Sequence, residues 1–144
     1  MVDKSNSATY HKVRFKTLTK EIFNEYHNIF YKSNVKILPS NIKDLLKSEL
    51  ALAVWYLDDG ALRTDCRALR IHTNNFTYNE VVVLQDVLLV NYKIHSQIHK
   101  QGKTYNLYIG SINKQSDKFC NLIRPVIASK IPSMVYKLLK PCND

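Results

Sequence analysis

The sequence predicts an α+β fold in which an antiparallel sheet is covered by helices on one face. Three observations predict it. From residue 41 onward the pattern reads helix, hairpin, helix, hairpin, helix. The extended segments alternate apolar and polar residues with the two-residue period of a half-covered strand. Hydrophobic residues make up 45% of 144, enough apolar side chain for one core. Twenty-one Lys and Arg against 12 Asp and Glu leave a net charge of +9, which points to a polyanionic partner, nucleic acid first. No apolar run approaches the ~18 residues of a bilayer span, so no membrane partner is expected. Cys66, Cys120 and Cys142 are scattered without a CxxC pair, against a disulfide framework or a zinc site. The first ten residues carry Asp3 and lack both the apolar core of a secretory signal and the Arg-rich pattern of an imported organellar protein. Abundant Lys, Asn, Ile and Tyr with 3 Gly is the composition of AT-rich coding.

The elements follow in order. His11–Lys16 alternates, with Val13 and Phe15 on one side and Lys12, Arg14 and Lys16 on the other, as in a strand with a basic outer face. Thr17 or Thr19 then caps a helix whose apolar positions are Ile22, Phe23, Tyr26, Ile29 and Phe30. Ser33 to Ser40, with Pro39, reads as a connection. A helix over Ile42–Asp59 follows and ends at Gly60, a residue suited to a left-handed cap. Ala61–Asp65 and Arg67–Thr73 form a strand pair, and Thr77-Tyr-Asn-Glu80 is a capping box opening an apolar core helix to about Asn91. Lys93–Lys100, a turn at Gln101-Gly102-Lys103, and Thr104–Gly110 make the second hairpin. The last helix runs over Asn113–Ile123 and stops before Pro125, ahead of the tail Ile131-Pro-Ser-Met-Val-Tyr-Lys-Leu138.

Two features carry chemistry. Leu50 to Leu57 is apolar nearly all round, and Ala51 and Ala53 are small enough to let a second helix approach. Asp58 and Asp59 then fall in the last turn, where the helix dipole disfavours a carboxylate by ~0.3–1 kcal/mol. A hard cation such as Mg²⁺ would compensate them; a solvated Asp-Gly turn is the alternative. On the strands, Leu69, Ile71, Ile94, Ile98, Leu107 and Ile109 suit a core, while Arg70, His72, His95, Gln97, His99, Asn106 and Tyr108 collect on the other side. Those groups suit base edges or phosphates, with Arg matched to guanine and Gln or Asn to adenine. Arg63, Lys100 and Lys103 at the hairpin ends read as phosphate contacts.

Leu52-Ala-Val-Trp-Tyr-Leu-Asp-Asp-Gly60 resembles the signature nonapeptide of the LAGLIDADG homing endonucleases, in the form found in the second half of two-motif, intron-encoded members. The element order after it resembles that family's αββαββα unit, and Asn121-Leu-Ile-Arg-Pro125 with the tail to Leu138 resembles the family's close, so the likeness covers about residues 12–138. The resemblance implies the LAGLIDADG fold: a β-saddle that meets a duplex. It implies that Asp59 binds a catalytic Mg²⁺, and that Lys36 and Lys137 stand near the scissile phosphate to stabilise charge and orient water. It implies a motif helix that packs, through Ala51, Ala53, Val54 and Leu57, on a second motif helix bringing the other acid.

Only one such motif is present here. Residues 1–40 resemble the end of a preceding half, and 41–144 form the LAGLIDADG half-unit. The second motif is expected from a separate chain or from a homodimer mate. The resemblance thus implies half of a site-specific DNA endonuclease. The alternative is a non-catalytic RNA-binding protein, in a ribosome or as an intron maturase acting on structured RNA; a DNA-binding regulator on the same scaffold is a third reading. The family's intron habit and the AT-rich bias imply a mitochondrial, or chloroplast, location.

Overall fold

A computed structural model describes residues 16–141. Four antiparallel strands form the main sheet in the order β3-β4-β6-β5: β3 is Gly60–Leu62, β4 Leu69–His72, β5 Gln97–Gln101 and β6 Thr104–Ile109. Period-two alternation buries Leu69, Ile71, Leu107 and Ile109 completely on one side. Three helices cover that side: α3 (Glu49–Asp59), α4 (Tyr78–Tyr92) and α5 (Gln115–Lys130). Leu52 and Tyr56 from α3, Val81, Leu84 and Leu88 from α4, and Phe119, Ile123 and Ile127 from α5 complete one core. The α+β class and the covered antiparallel sheet are as the sequence pattern requires. Among the described residues no helix is long and apolar enough to cross a membrane.

The N-terminal strand expected over residues 11–16 lies outside the described residues, apart from its last position. Helix α1 (Ile22–Phe30) has no side-chain cap, so neither Thr17 nor Thr19 starts it. The stretch after it is more ordered than a simple connection. β1 (Tyr31–Lys32) and β2 (Val35–Lys36) pair across Ser33 and Asn34, both at positive φ (50° and 60°), the geometry of a two-residue hairpin turn.

The single helix expected over Ile42–Asp59 is two. A short α2 (Ile42–Leu45) ends where Leu46 leaves helical geometry, and α3 restarts because the Ser48 hydroxyl accepts the Ala51 N–H at 3.1 Å. Gly60 is not left-handed; it is extended, at φ −86° and ψ 147°, and already belongs to β3. The capping box at Thr77 is present in full. The last helix does not stop before Pro125 but continues to Lys130. Asn121 and Pro125 both lie on the exposed face of the helix, while buried Ile123 and Ile127 anchor the turns either side. A 3₁₀ segment, Pro132–Lys137, then folds back under the end of α3.

Candidate metal half-site and nucleic-acid interface

Asp59 is the last residue of α3 and half-buried, while Asp58 beside it is exposed. Burial pushes the Asp59 carboxyl above its ordinary range and the Asp58 charge adds to that; Lys36, His72 and Lys137 pull it back without cancelling the rise. Lys36, Asp59 and Lys137, singled out from the sequence, therefore meet in one electrostatic neighbourhood, and His72 of β4 joins them from the sheet. Lys36 leaves β2 with its ammonium 5.5 Å from the centre of the Phe76 ring.

Lys137 is tied more tightly. Its ammonium donates to the Leu57 carbonyl at 2.7 Å and the Gly60 carbonyl at 3.0 Å. This caps the carbonyl end of the motif helix with a cation, where orphan acceptors and the negative dipole end both favour one. In return the Tyr56 hydroxyl donates to the Lys137 carbonyl at 2.7 Å.

Among the described residues no group of three or more His, Cys, Asp and Glu side chains converges as a metal cage. Asp59 offers a single carboxylate whose charge its surroundings leave under-compensated. That fits a hard cation drawing its remaining oxygens from water, a phosphate and a second carboxylate, and it does not fit a cage closed by this half-unit alone.

The uncovered side of the sheet carries the polar groups in register. Ala61, Arg70, Tyr108 and Gln97 align in one row; His72, Asn106 and His99 align in the next. The His99 and Tyr108 rings stack, centroids 4.4 Å apart and 13° from parallel. Arg63 lies over the Tyr108 ring at 6.0 Å and is held by a two-pronged bond to Asp65, at 2.8 and 2.5 Å. Arg70 half-emerges beside them, and its Nε has no protein partner. Lys103 sits exposed on the hairpin turn.

Three expected nucleic-acid contacts differ in setting: Asn106 is buried within the polar rows, Lys100 leaves that face, and His95 stands exposed beside Gln97 and Tyr108 just ahead of β5. Asn106 is 1% exposed; its amide donates to Gln101 at 2.8 Å and accepts from the Thr73 N–H, so it braces the sheet instead of reading a base. Lys100 pairs opposite Tyr105 and shares the parity of Ile98, which sends it to the helix-covered side. His95 precedes β5, in the connection whose backbone Gln115 fixes at 2.9 Å. Gln101, absent from the sequence-based set, takes the outward parity of Gln97 and His99; continuing that alternation by one step finds it. Asp65 and Tyr56 were also missed. Asp65 is recognisable only once the 62–69 loop places it against Arg63, and the Tyr56 hydroxyl only once its distant acceptor is folded beside it.

The helix interface needs one correction. Ala53, expected to meet a second helix, is 1% exposed and packs inside this chain's own core. The open stripe is instead Leu50 and Val54, 52% and 56% exposed, with Ala51 and Leu57 half-buried alongside.

Comparison with known proteins agrees with this geometry. A sequence model described as the LAGLIDADG DNA endonuclease family matches residues 1–119. Cytochrome b mRNA maturase bI2 of Debaryomyces hansenii is 40% identical over 137 residues, covering 93% of this chain and 49% of that protein. Intron-encoded endonuclease ai4 of Dictyostelium discoideum is 34% identical over 133 residues, 90% of this chain and 78% of its own length. A solved structure, described as the homing endonuclease I-WcaI bound to its DNA recognition sequence, superposes with a TM-score of 0.76 at 27% identity, over 88% of this chain and 56% of that one. The chain thus spans about half the length of the maturase and of I-WcaI. From its motif helix, its sheet topology and these matches, the chain belongs to the LAGLIDADG DNA endonuclease family.

Proposed function

We propose that this chain is one half of a Mg²⁺-dependent, site-specific DNA endonuclease, completed by a second LAGLIDADG motif from a separate segment or chain or from a second copy. The observation that carries the reading is the placement of Asp59: a half-buried carboxylate at the end of the motif helix, among Lys36, His72 and Lys137 and next to an open apolar stripe. Asp59 would contribute one of the carboxylates that hold a shared divalent cation. That cation, when bound, supplies charge neutralisation at the phosphate and makes water acidic enough to act as a nucleophile. Lys36 and Lys137 offset the negative charge that grows on the phosphate during hydrolysis. Arg63, Arg70, His72, Gln97, His99, Lys103 and Tyr108 present hydrogen-bonding groups and stacked rings to the duplex, and the +9 net charge draws it in. The organelle is proposed as mitochondrial, from the cytochrome b maturase relatives.

Nicking of a supercoiled plasmid library by the chain with its second motif, in Mg²⁺ and in EDTA, tests this. Mg²⁺-dependent nicking supports it; its absence with both motifs present overturns it. One observation favours a second reading. A relative 40% identical carries the name mRNA maturase, and a basic saddle serves structured RNA as well as DNA. Co-purification with intron RNA and rescue of its splicing, without Mg²⁺-dependent nicking, would establish that reading instead.

A further inference from the structure

Tyr56 lies in the last turn of the motif helix, fully buried, and its edge packs on the Phe119 ring at 5.2 Å between centroids. Full burial holds the ring, which lies close over Gly60 at the start of β3, where a Cβ would sit 2.2 Å from one of its carbons. This fixes the hydroxyl, which points across to the far end of the chain and donates to the Lys137 carbonyl at 2.7 Å. That carbonyl closes the 3₁₀ segment Pro132–Lys137, and the next residue, Leu138, is extended, so no following turn offers it a donor. The Lys137 side chain then runs the opposite way and places its ammonium on the Leu57 and Gly60 carbonyls, either side of Asp59. Two segments 81 residues apart are therefore joined by bonds in both directions, one from each residue to the other's neighbourhood.

We propose that Tyr56 is a positioning residue: its hydroxyl anchors the backbone of Lys137 so that the Lys137 ammonium stays at the exit of the motif helix beside Asp59. The proposal rests on the reading of Asp59 and Lys137 as the half-site and adds the residue that registers one against the other. Two of the three ammonium protons are used by carbonyls, which leaves one for a ligand arriving at Asp59. A lysine on a free stem would spread its charge over many rotamers; one anchored at both backbone and tip holds its charge in one place.

Tyr56→Phe keeps the ring, its contact with Phe119 and the fit over Gly60, and removes only the donor. Two readouts decide. The first needs no enzymatic activity: competitive acetylation of Lys137 relative to exposed Lys103, mapped by mass spectrometry, with the Lys137 ¹⁵Nζ resonance as its spectroscopic counterpart. In the unaltered chain Lys137 is expected to react at least about tenfold more slowly than Lys103, and Tyr56→Phe to raise its rate by about fivefold or more while thermal unfolding stays cooperative. Lys137 reacting as fast as Lys103 in the unaltered chain overturns the proposal without any variant, and so does an unchanged rate in a folded Tyr56→Phe. The second readout is plasmid nicking with the second motif present: the single-turnover rate is expected to fall about tenfold with DNA affinity unchanged. Unchanged nicking overturns the positioning role. If the unaltered protein does not nick at all, the endonuclease reading falls, and the acetylation result alone still decides whether Tyr56 holds Lys137.

Discussion

At Gly60 the chain passes from the motif helix into the sheet within one residue, and the Tyr56 ring and carbonyl fill the space a side chain would need. A Cβ there would stand 2.2 Å from the ring and 2.3 Å from the Tyr56 carbonyl oxygen. The glycine is required for close approach and not for a left-handed turn. Gly60→Ala is expected to cost about 2–4 kcal/mol in urea unfolding, as overpacking against immobile neighbours does; a loss below about 0.5 kcal/mol would show that the ring moves aside freely. Asp58 and Asp59 beside it stand out in the sequence as a charged pair that contradicts the local rule at the end of an apolar helix, while the choice of Asp59 as the metal residue comes from the resemblance to the family's motif. Asn106 keeps the expected polar face but is buried there by its bonds to Gln101 and the Thr73 N–H, whereas Lys100 and Ala53 were misread for one shared reason. Each is small, polar or strand-borne in a way that suits either face, and only the register of β5 on β6 and the packing of α3 on α5 decide which face it takes.

Helix α4 is fixed by a joint whose signature is local, and its start was readable for that reason. The Glu80 carboxylate accepts the Thr77 N–H at 2.7 Å while the Thr77 hydroxyl accepts the Glu80 N–H at 3.4 Å, the two bonds of a capping box, and the hydroxyl also donates to the carboxylate at 2.8 Å. The carboxylate also accepts the Leu38 N–H at 3.0 Å, tying the segment that carries Lys36 to α4. Partial burial pushes this carboxyl up, and the three hydrogen bonds more than offset it, so its pKa in the folded chain lies below the ordinary glutamate value. The unfolded chain then binds the proton more readily. Glu80 therefore contributes stability that is present above its unfolded pKa and lost as pH falls from about 5 toward 3. Glu80→Gln is expected to be less stable than the unaltered chain at pH 7 by about 0.5–2 kcal/mol, with the gap closing toward pH 3 in urea titrations. A gap that stays constant with pH would refute the charge-assisted joint. The elements read less well had different causes: at Leu46–Ser48 a local cap, the Ser48 hydroxyl on the Ala51 N–H, starts a new helix inside the expected one, while α5 passes through Pro125 because buried Ile123 and Ile127 hold it in place.

As a whole the described molecule has one finished face and two open ones. The helices are packed against the sheet; the polar side of the saddle and the apolar edge at Leu50 and Val54 are uncovered. An open apolar edge continuous with a carboxylate short of ligands is the shape of a half-site, and the partner reading depends on it. Leu50→Glu with Val54→Glu is expected to leave the chain's own unfolding within about 0.5 kcal/mol, because both positions already face solvent, while weakening its association with the second motif about 100-fold by analytical ultracentrifugation. Association that survives the double substitution would place the mate elsewhere. The class of fold was legible from one sequence because it rests on periodicity, and the grouping of Lys36 and Lys137 with Asp59 was expected from the resemblance to one conspicuous motif. The identity of the proposed mate is not written in this chain's packing, since it concerns the surfaces that the described residues leave open. The most direct test of the whole account is a paired measurement on Asp59→Asn: nucleic-acid affinity and Mg²⁺-dependent strand cleavage, in the same preparation with the second motif present. The account predicts affinity within about twofold of the unaltered chain and cleavage reduced by about 100-fold or more; cleavage retained above about a tenth, or affinity lost in parallel with it, would contradict the placement of Asp59 as the residue that holds the reacting cation.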